Sequence, residues 1–261
     1  MPRATPPDTL DTLTPGRIWR HPLPHLRSWR TRLQCRLIVA LWRRRFVTVD
    51  GIDRILPGRD PFILALNHSQ KLEALIVPTF LIYLRSGRLI HFFADWPFLL
   101  VPFVAAAFRR SQVIVVPNKS ARYRVLNRLR PALVPDLPPF DQASRYLERG
   151  EPVGIFPEGT VNRSPDRLLD GRIGAARLSL ETGVPIVPAG IRFPEHDGEG
   201  PIDERARLAI HIGEPVNPEV RGRSDRVPRD EAQLLHVRLM TAIAALSGKR
   251  WKDTGGGNQC R

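Results

Sequence analysis

Short apolar runs of strand length alternate along most of this chain with stretches of helical periodicity. That alternation constrains the fold more than any other feature. Residues 46–49, 62–66, 89–94, 113–116, 153–156, 186–191 and 206–212 read as strands. Residues 73–84, 98–108, 141–149, 174–182 and about 229–246 carry the three- and four-residue spacing of helices. Strands and helices in turn predict an α/β fold, a central mostly parallel mixed sheet flanked by helices. No internal repeat and no linker to a second domain interrupts the pattern, so one domain is expected over residues 25–250.

The N-terminal part has a different character. Residues 1–24 are rich in proline and read as a flexible leader without an apolar h-region, so no signal peptide is expected. Residues 25–45 read as an amphipathic helix. Leu26, Trp29, Leu33, Leu37, Ala40 and Leu41 recur at helical steps, while Arg27, Arg30, Arg32, Arg36, Arg43, Arg44 and Arg45 fill much of the rest. Basic side chains interleaved with Trp29 and Trp42 are what a helix lying on an anionic leaflet needs. The whole-chain balance points the same way: 40 Lys+Arg against 26 Asp+Glu leave a formal charge of +14, which implies an anionic partner. Nucleic acid is not expected, because no zinc-finger spacing and no RNP-like aromatic strand accompanies the charge. No run of ~18 uncharged apolar residues exists to span a bilayer. A peripheral position on the cytoplasmic side of a membrane is the expectation.

Cys35 and Cys260 lie near opposite ends, so a disulfide framework is not expected and a reducing compartment is the simpler reading. His21 and His25 are separated by Pro22 and Pro24 and share no helical face. No cluster has metal-ligand spacing, and no metal is assigned. Gly255-Gly256-Gly257 marks residues 251–261 as a loose tail.

Two polar clusters directly follow apolar runs. Asn67-His68-Ser69-Gln70-Lys71-Leu72-Glu73 comes after the 62–66 run, and Phe156-Pro157-Glu158-Gly159-Thr160 after the 153–155 run. The carboxyl end of a strand is where α/β proteins put reactive groups. If a helix begins after His68, Glu73 can fold back to its ring, fix the tautomer and leave the other nitrogen as a general base. There is no Gly-x-Ser-x-Gly elbow and no plausible catalytic cysteine, so the base would act on a substrate hydroxyl. The same pair also fits an ordinary hydrogen-bonded histidine, and the second cluster is what tips the reading toward chemistry. Backbone N–H groups at the Gly159-Thr160 turn are candidates for steadying an oxyanion. Ser69 and Gln70 read as solvent- or turn-facing. The apolar 98–108 helix fits core packing, or else the border of a channel. Arg163 fits a solvated charge or a ligand to an anionic group.

In order and spacing, Asn67-His68 with its acid at 73, Phe156-Pro157-Glu158-Gly159-Thr160, and Gly183-Val184-Pro185-Ile186-Val187-Pro188-Ala189-Gly190-Ile191 resemble the glycerolipid acyltransferase family, typified by 1-acylglycerol-3-phosphate acyltransferases. The resemblance covers about residues 30 to 215 and includes the linking stretch Arg172–Leu178. It implies the glycerolipid acyltransferase fold and an enzyme of phospholipid biosynthesis. The activity implied is transfer of a fatty acyl chain from acyl-CoA or acyl carrier protein to a lysophospholipid hydroxyl, with no cofactor beyond that co-substrate. His68 would be the base and Glu73 its orienting acid. Phe156, Pro157, Glu158, Gly159 and Thr160 would bind the acceptor, and Pro188 would fall in the acyl-donor region.

Two positions depart from the family pattern. The acid is usually aspartate, and glutamate lengthens the reach by about 1.5 Å. Aligning the arginine motif puts Gln112 where glycine is expected and Asn118 where arginine is expected, with Lys119 and Arg122 nearby as substitute phosphate ligands. These departures leave two alternatives open: a catalytically weak or silent lipid-binding relative, and an acyltransferase for a non-phosphatidate acceptor.

Overall fold

The computed structural model describes residues 13–117, 124–219 and 227–252. In chain order the helices are α1 (Pro15–Arg20), α2 (Trp29–Trp42), α3 (Glu73–Leu84), α4 (Pro102–Arg110), α5 (Arg130–Leu133), α6 (Pro139–Glu148), α7 (Gly174–Thr182) and α8 (Arg229–Ser247). The strands are β1 (Phe46–Asp50), β2 (Ile63–Leu66), β3 (His91–Asp95), β4 (Ile114–Val116), β5 (Val153–Ile155), β6 (Ile186–Arg192) and β7 (Leu208–Ile212).

The seven strands form one sheet in the order β1-β7-β6-β2-β5-β3-β4. Every pairing is parallel except β6 with β7. Central β2 is buried on both faces, as the middle of a parallel sheet must be. Leu64 and Leu66 pack into a core with α1, α2 and α3, while Ile63 and Ala65 face α6, α7 and α8. A buried Leu or Ile is worth roughly 1.5–3 kcal/mol, so a one-residue slip that exchanged the two faces would be resisted strongly. The strand therefore delivers Asn67 and His68 to its carboxyl end in a fixed register: Ala65 lies beside Ile155 on one side and Pro188 on the other.

Several expected boundaries move. The leader is not loose over its described part. Pro15 opens α1 behind the Thr14 cap, and Leu13, Ile18 and Leu23 are buried in the core. The amphipathic helix starts at Trp29 rather than residue 25, because Ser28 is extended, and it gives way to a 3₁₀ turn at Arg43–Arg45. The 98–108 helix is divided: Pro102 holds Val101 extended, and the α-helix restarts at the proline. Gln112, at the position the resemblance gives to glycine, adopts φ +51°, the left-handed conformation that glycine takes freely. At the C-terminus Trp251 is buried and Arg250 bridges to Arg167, so ordered structure runs past residue 250. No helix among the described residues is long and apolar enough to cross a membrane.

Candidate active site

The two polar clusters meet at the carboxyl end of β2, and backbone as well as side chains join them. Asn67 is wholly buried and pairs like one more strand residue: its Nδ2 donates to the Ile191 carbonyl at 3.1 Å and its Oδ1 accepts the Ile191 N–H at 2.6 Å. His68 is then held at both backbone atoms. Its N–H donates to Glu158 Oε1 at 3.1 Å, and its carbonyl accepts the Asn162 N–H at 2.7 Å. A hinged histidine is converted in this way into a fixed one.

The ring lies with Nδ1 2.9 Å from Glu73 Oε2. An ionised carboxylate only accepts, so Nδ1 carries the proton and Nε2 the free lone pair. Nε2 has no hydrogen-bond partner among the described residues, and the side chain is 12% exposed. The Phe156 ring stacks on the imidazole, centroids 4.4 Å apart and planes 28° from parallel, closing its other face.

Glu73 is the first residue of α3, where the helix dipole favours a carboxylate. It is completely buried, and the same Oε2 also accepts the Ser69 N–H at 2.7 Å. The extra methylene over aspartate is therefore accommodated, since one oxygen spans both the ring and the peptide N–H four residues back.

The residues of the second cluster divide by role. The Glu158 carboxylate points into the protein and is fully occupied: beside the His68 N–H, its Oε2 accepts from Asn162 Nδ2 at 2.7 Å and from the Leu169 N–H at 2.9 Å. It braces the histidine loop rather than facing a ligand. Gly159 turns the chain at φ +69°, and its N–H is spent on the Phe156 carbonyl at 3.0 Å, so that group is not the oxyanion donor expected from the sequence. Gly159 and Thr160 are exposed at the mouth, and the Arg172 side chain lies over the turn, where a glycine Cβ would stand 3.2 Å from its Nε. Arg163 is ion-paired with Glu204. Pro157 is buried, and Pro188 is buried within β6 with its carbonyl accepting the Gly213 N–H at 2.8 Å. Lys119 and Arg122 lie outside the described residues.

Ser69 and Gln70, expected to face solvent or a turn, are wholly buried. Gln70 donates to the Asp203 and Ala206 carbonyls, and its Oε1 accepts from Arg45, which also donates to the Glu204 and Ala206 carbonyls. Burial depresses the basicity of Arg45, against the pull of Asp203, Glu204 and Glu73. The most distant contributor is Lys249. Its Nζ donates to Ser69 Oγ at 2.8 Å and to the Ser164 carbonyl at 2.7 Å. Burial lowers its proton affinity, opposed by Glu158, Glu73 and Asp166. Neither Arg45 nor Lys249 announces itself in the sequence, because each is one cation among 40 and only the fold brings it to the loop.

A small cavity lies behind the site, lined by Ala74, Leu75 and Pro78 of α3, Phe92 of β3, and Ala107 and Phe108 of α4. Ala107 and Phe108 of α4 are buried in a core cluster with Ile38 and Leu75, the packing role expected for this segment.

Known proteins resemble this chain in sequence and in fold. A family model described as Acyltransferase matches residues 46–192, which contain both polar clusters. A 1-acyl-sn-glycerol-3-phosphate acyltransferase of Borreliella burgdorferi is 27% identical over 151 residues, 58% of this chain and 53% of that protein. The chain thus spans about half the length of that relative. Among solved structures, the 1-acyl-sn-glycerophosphate (LPA) acyltransferase PlsC from Thermotoga maritima is similar in fold, with a TM-score of 0.52 at 18% identity over 91% of this chain and 90% of that one.

Proposed function

This chain belongs to the acyltransferase family, and from that premise we propose that it is a membrane-surface O-acyltransferase moving a fatty acyl chain from a thioester to a lysophospholipid hydroxyl. The observation that carries the reading is the His68 ring, bonded through Nδ1 to wholly buried Glu73 while Nε2 has no partner among the described residues. In the proposed reaction Nε2 takes the acceptor's hydroxyl proton as the oxygen attacks the thioester carbonyl. The tetrahedral intermediate collapses, the C–S bond breaks, and the imidazolium returns the proton to the departing thiolate. One C–O ester bond replaces one C–S bond, and no protein nucleophile is acylated. Glu73 steadies the transient imidazolium and holds the ring in one tautomer.

The acceptor assignment leans on relatives whose names specify 1-acylglycerol 3-phosphate. We carry that substrate class to this chain as part of the proposal, with acyl-CoA or acyl carrier protein as donor. Arg172 over the Gly159 turn is the candidate ligand for an anionic head group, and Arg163, ion-paired with Glu204, would have to release that partner to serve as a second one. Docking on the membrane is supported by α2. Trp29 (66% exposed), Leu33, Leu37 and Leu41 (71% exposed) recur every fourth residue on its outer side, while Cys35, Ile38 and Val39 pack inward. A helix apolar on two faces has one face left over for lipid.

The test is transfer of a labelled acyl chain from acyl-CoA or acyl carrier protein to a panel of lysolipids. Wild type should transfer, and His68→Ala should be slower by about 10²–10⁴-fold, the usual worth of a general base. Wild type inactive with every donor and acceptor would defeat the enzyme reading and favour a lipid-binding role. A fully active alanine variant would remove His68 from the mechanism.

A further inference from the structure

Lys249 lies two residues beyond the end of α8, outside the segment that matches the family model. It reaches the site because α8 crosses β6 at contact distance. A Cβ on Gly190 would stand 2.2 Å from the backbone at Leu246–Ser247, so only glycine lets the helix end lie there. Gly248, in the left-handed conformation at φ +72°, then turns the chain inward. The result is an ammonium on a residue only 5% exposed.

Its bonds form a relay. Lys249 Nζ donates to Ser69 Oγ, the Ser69 N–H donates to Glu73 Oε2, and that same oxygen accepts from the His68 ring. A serine hydroxyl 2.8 Å from a lysine whose basicity is lowered by burial has the atoms of a nucleophile and its base. Ser69 is wholly buried, however, so no thioester can reach its oxygen and no acyl-serine step is drawn. What the cation does meet is negative charge. Glu73 is buried with its second oxygen, Oε1, lacking any hydrogen-bond partner among the described residues, and Glu158 is buried on the other side of the loop. Asp166, which is held by Arg250, is a further acidic neighbour of Lys249, and Arg45 senses Glu73 together with Asp203 and Glu204. The face of His68 away from these groups is covered by the uncharged Phe156 ring.

We propose that Lys249 is a positioning residue for His68: it pins Ser69 so that one Glu73 oxygen serves both ring and peptide. This rests on the reading of His68 as the base. Without the Lys249 donor, Ser69 loses the bond that fixes its peptide against Glu73 Oε2, and the ring loses the alignment that this oxygen gives it.

The closing experiment compares wild type, Lys249→Met and Ser69→Ala in the acyl-transfer assay. The downfield Nδ1 proton of the His68–Glu73 hydrogen bond is followed by NMR and assigned by its loss in His68→Ala. In Lys249→Met kcat should fall about tenfold or more while KM for both substrates stays within about twofold, and the Nδ1 proton resonance should shift or broaden. Ser69→Ala breaks the same link and should show the same kcat loss and the same change in the resonance. A folded Lys249→Met with wild-type kcat and an unmoved resonance overturns the proposal, as does a fully active Ser69→Ala. If Lys249→Met does not fold, Ser69→Ala decides alone. The Nδ1 resonance reads the proposal even if wild type transfers no acyl group, so failure of the base assignment and failure of the Lys249 assignment are separable.

Discussion

At the scale of single residues, Glu73 decides how the histidine is held. Its Oε2 receives two donors, the His68 ring at 2.9 Å and the Ser69 N–H at 2.7 Å, from a start on the first turn of α3. Aspartate at 73 would stop about 1.5 Å short and could satisfy one donor at the expense of the other. Glu73→Asp should therefore lower kcat by roughly ten- to a hundredfold, the order expected when a catalytic group is misplaced by about 1 Å. A variant faster than wild type would mean that glutamate is a compromise here rather than the residue the loop is built around. His68 and Glu73 were legible in the sequence because both lie within one short polar cluster after an apolar run. The inward roles of Ser69, Gln70 and Glu158 were not. Polar residues in a loop look solvated until the fold supplies Lys249, Arg45 and Asn162 as their partners.

At the scale of elements, the strands and helices of the sheet region emerged close to their sequence bounds, and α3 and α7 start and stop where their periodicity says. The N-terminal elements did not. A proline-rich composition hid α1, whose Ile18 is buried in the core. On α2 the apolar side chains that suggest amphipathicity, Trp29, Leu33, Leu37 and Leu41, are the exposed ones, and Cys35, Ile38 and Val39 make the core contact. Because Trp29, Leu37 and Leu41 are the most exposed side chains of that stripe, replacing them together by serine should change folding stability little, within about 0.5 kcal/mol per site. Flotation with vesicles containing anionic lipid should nevertheless drop by at least about tenfold in partition coefficient, given ~25 cal/mol for each Å² of apolar surface no longer buried in lipid. Unchanged flotation would move the docking surface off α2. Binding by wild type should also weaken as salt rises, because arginines flank the stripe and the screening length shrinks to a few ångströms toward 1 M salt.

At the scale of the whole molecule, alternation of strands and helices made the α/β class readable, but not the order in which seven strands lie side by side. Strand order depends on contacts between segments far apart in sequence. The same is true of three histidines that link distant parts, His91 and His236 buried and His21 half-buried. The His21 ring, before α2, donates to the Tyr83 carbonyl at the end of α3 at 3.1 Å. His91, opening β3, donates to the Gln112 carbonyl at 3.0 Å and stacks on Tyr146 of α6. His236, on α8, donates to the Asp170 carbonyl at 2.9 Å. Burial is the main reason that each is harder to protonate than free histidine. The accepting carbonyls oppose it in all three, with Glu151 also opposing it at His91, and Arg36 adds to the depression at His21. The ordinary value is 6.5, and the folded values lie below it. Between the two, the unfolded chain takes up protons that the folded chain refuses, so stability is complete above about pH 6.5 and declines as pH falls. The thermal midpoint should therefore drop steadily from about pH 7 to about pH 5.5, before carboxylate protonation adds its own effect. His91→Gln, which keeps a donor for Gln112 but cannot titrate, should flatten part of that slope. A midpoint that stayed level over this range would mean that these rings accept protons in place, and that their burial does not govern the acid response of the fold.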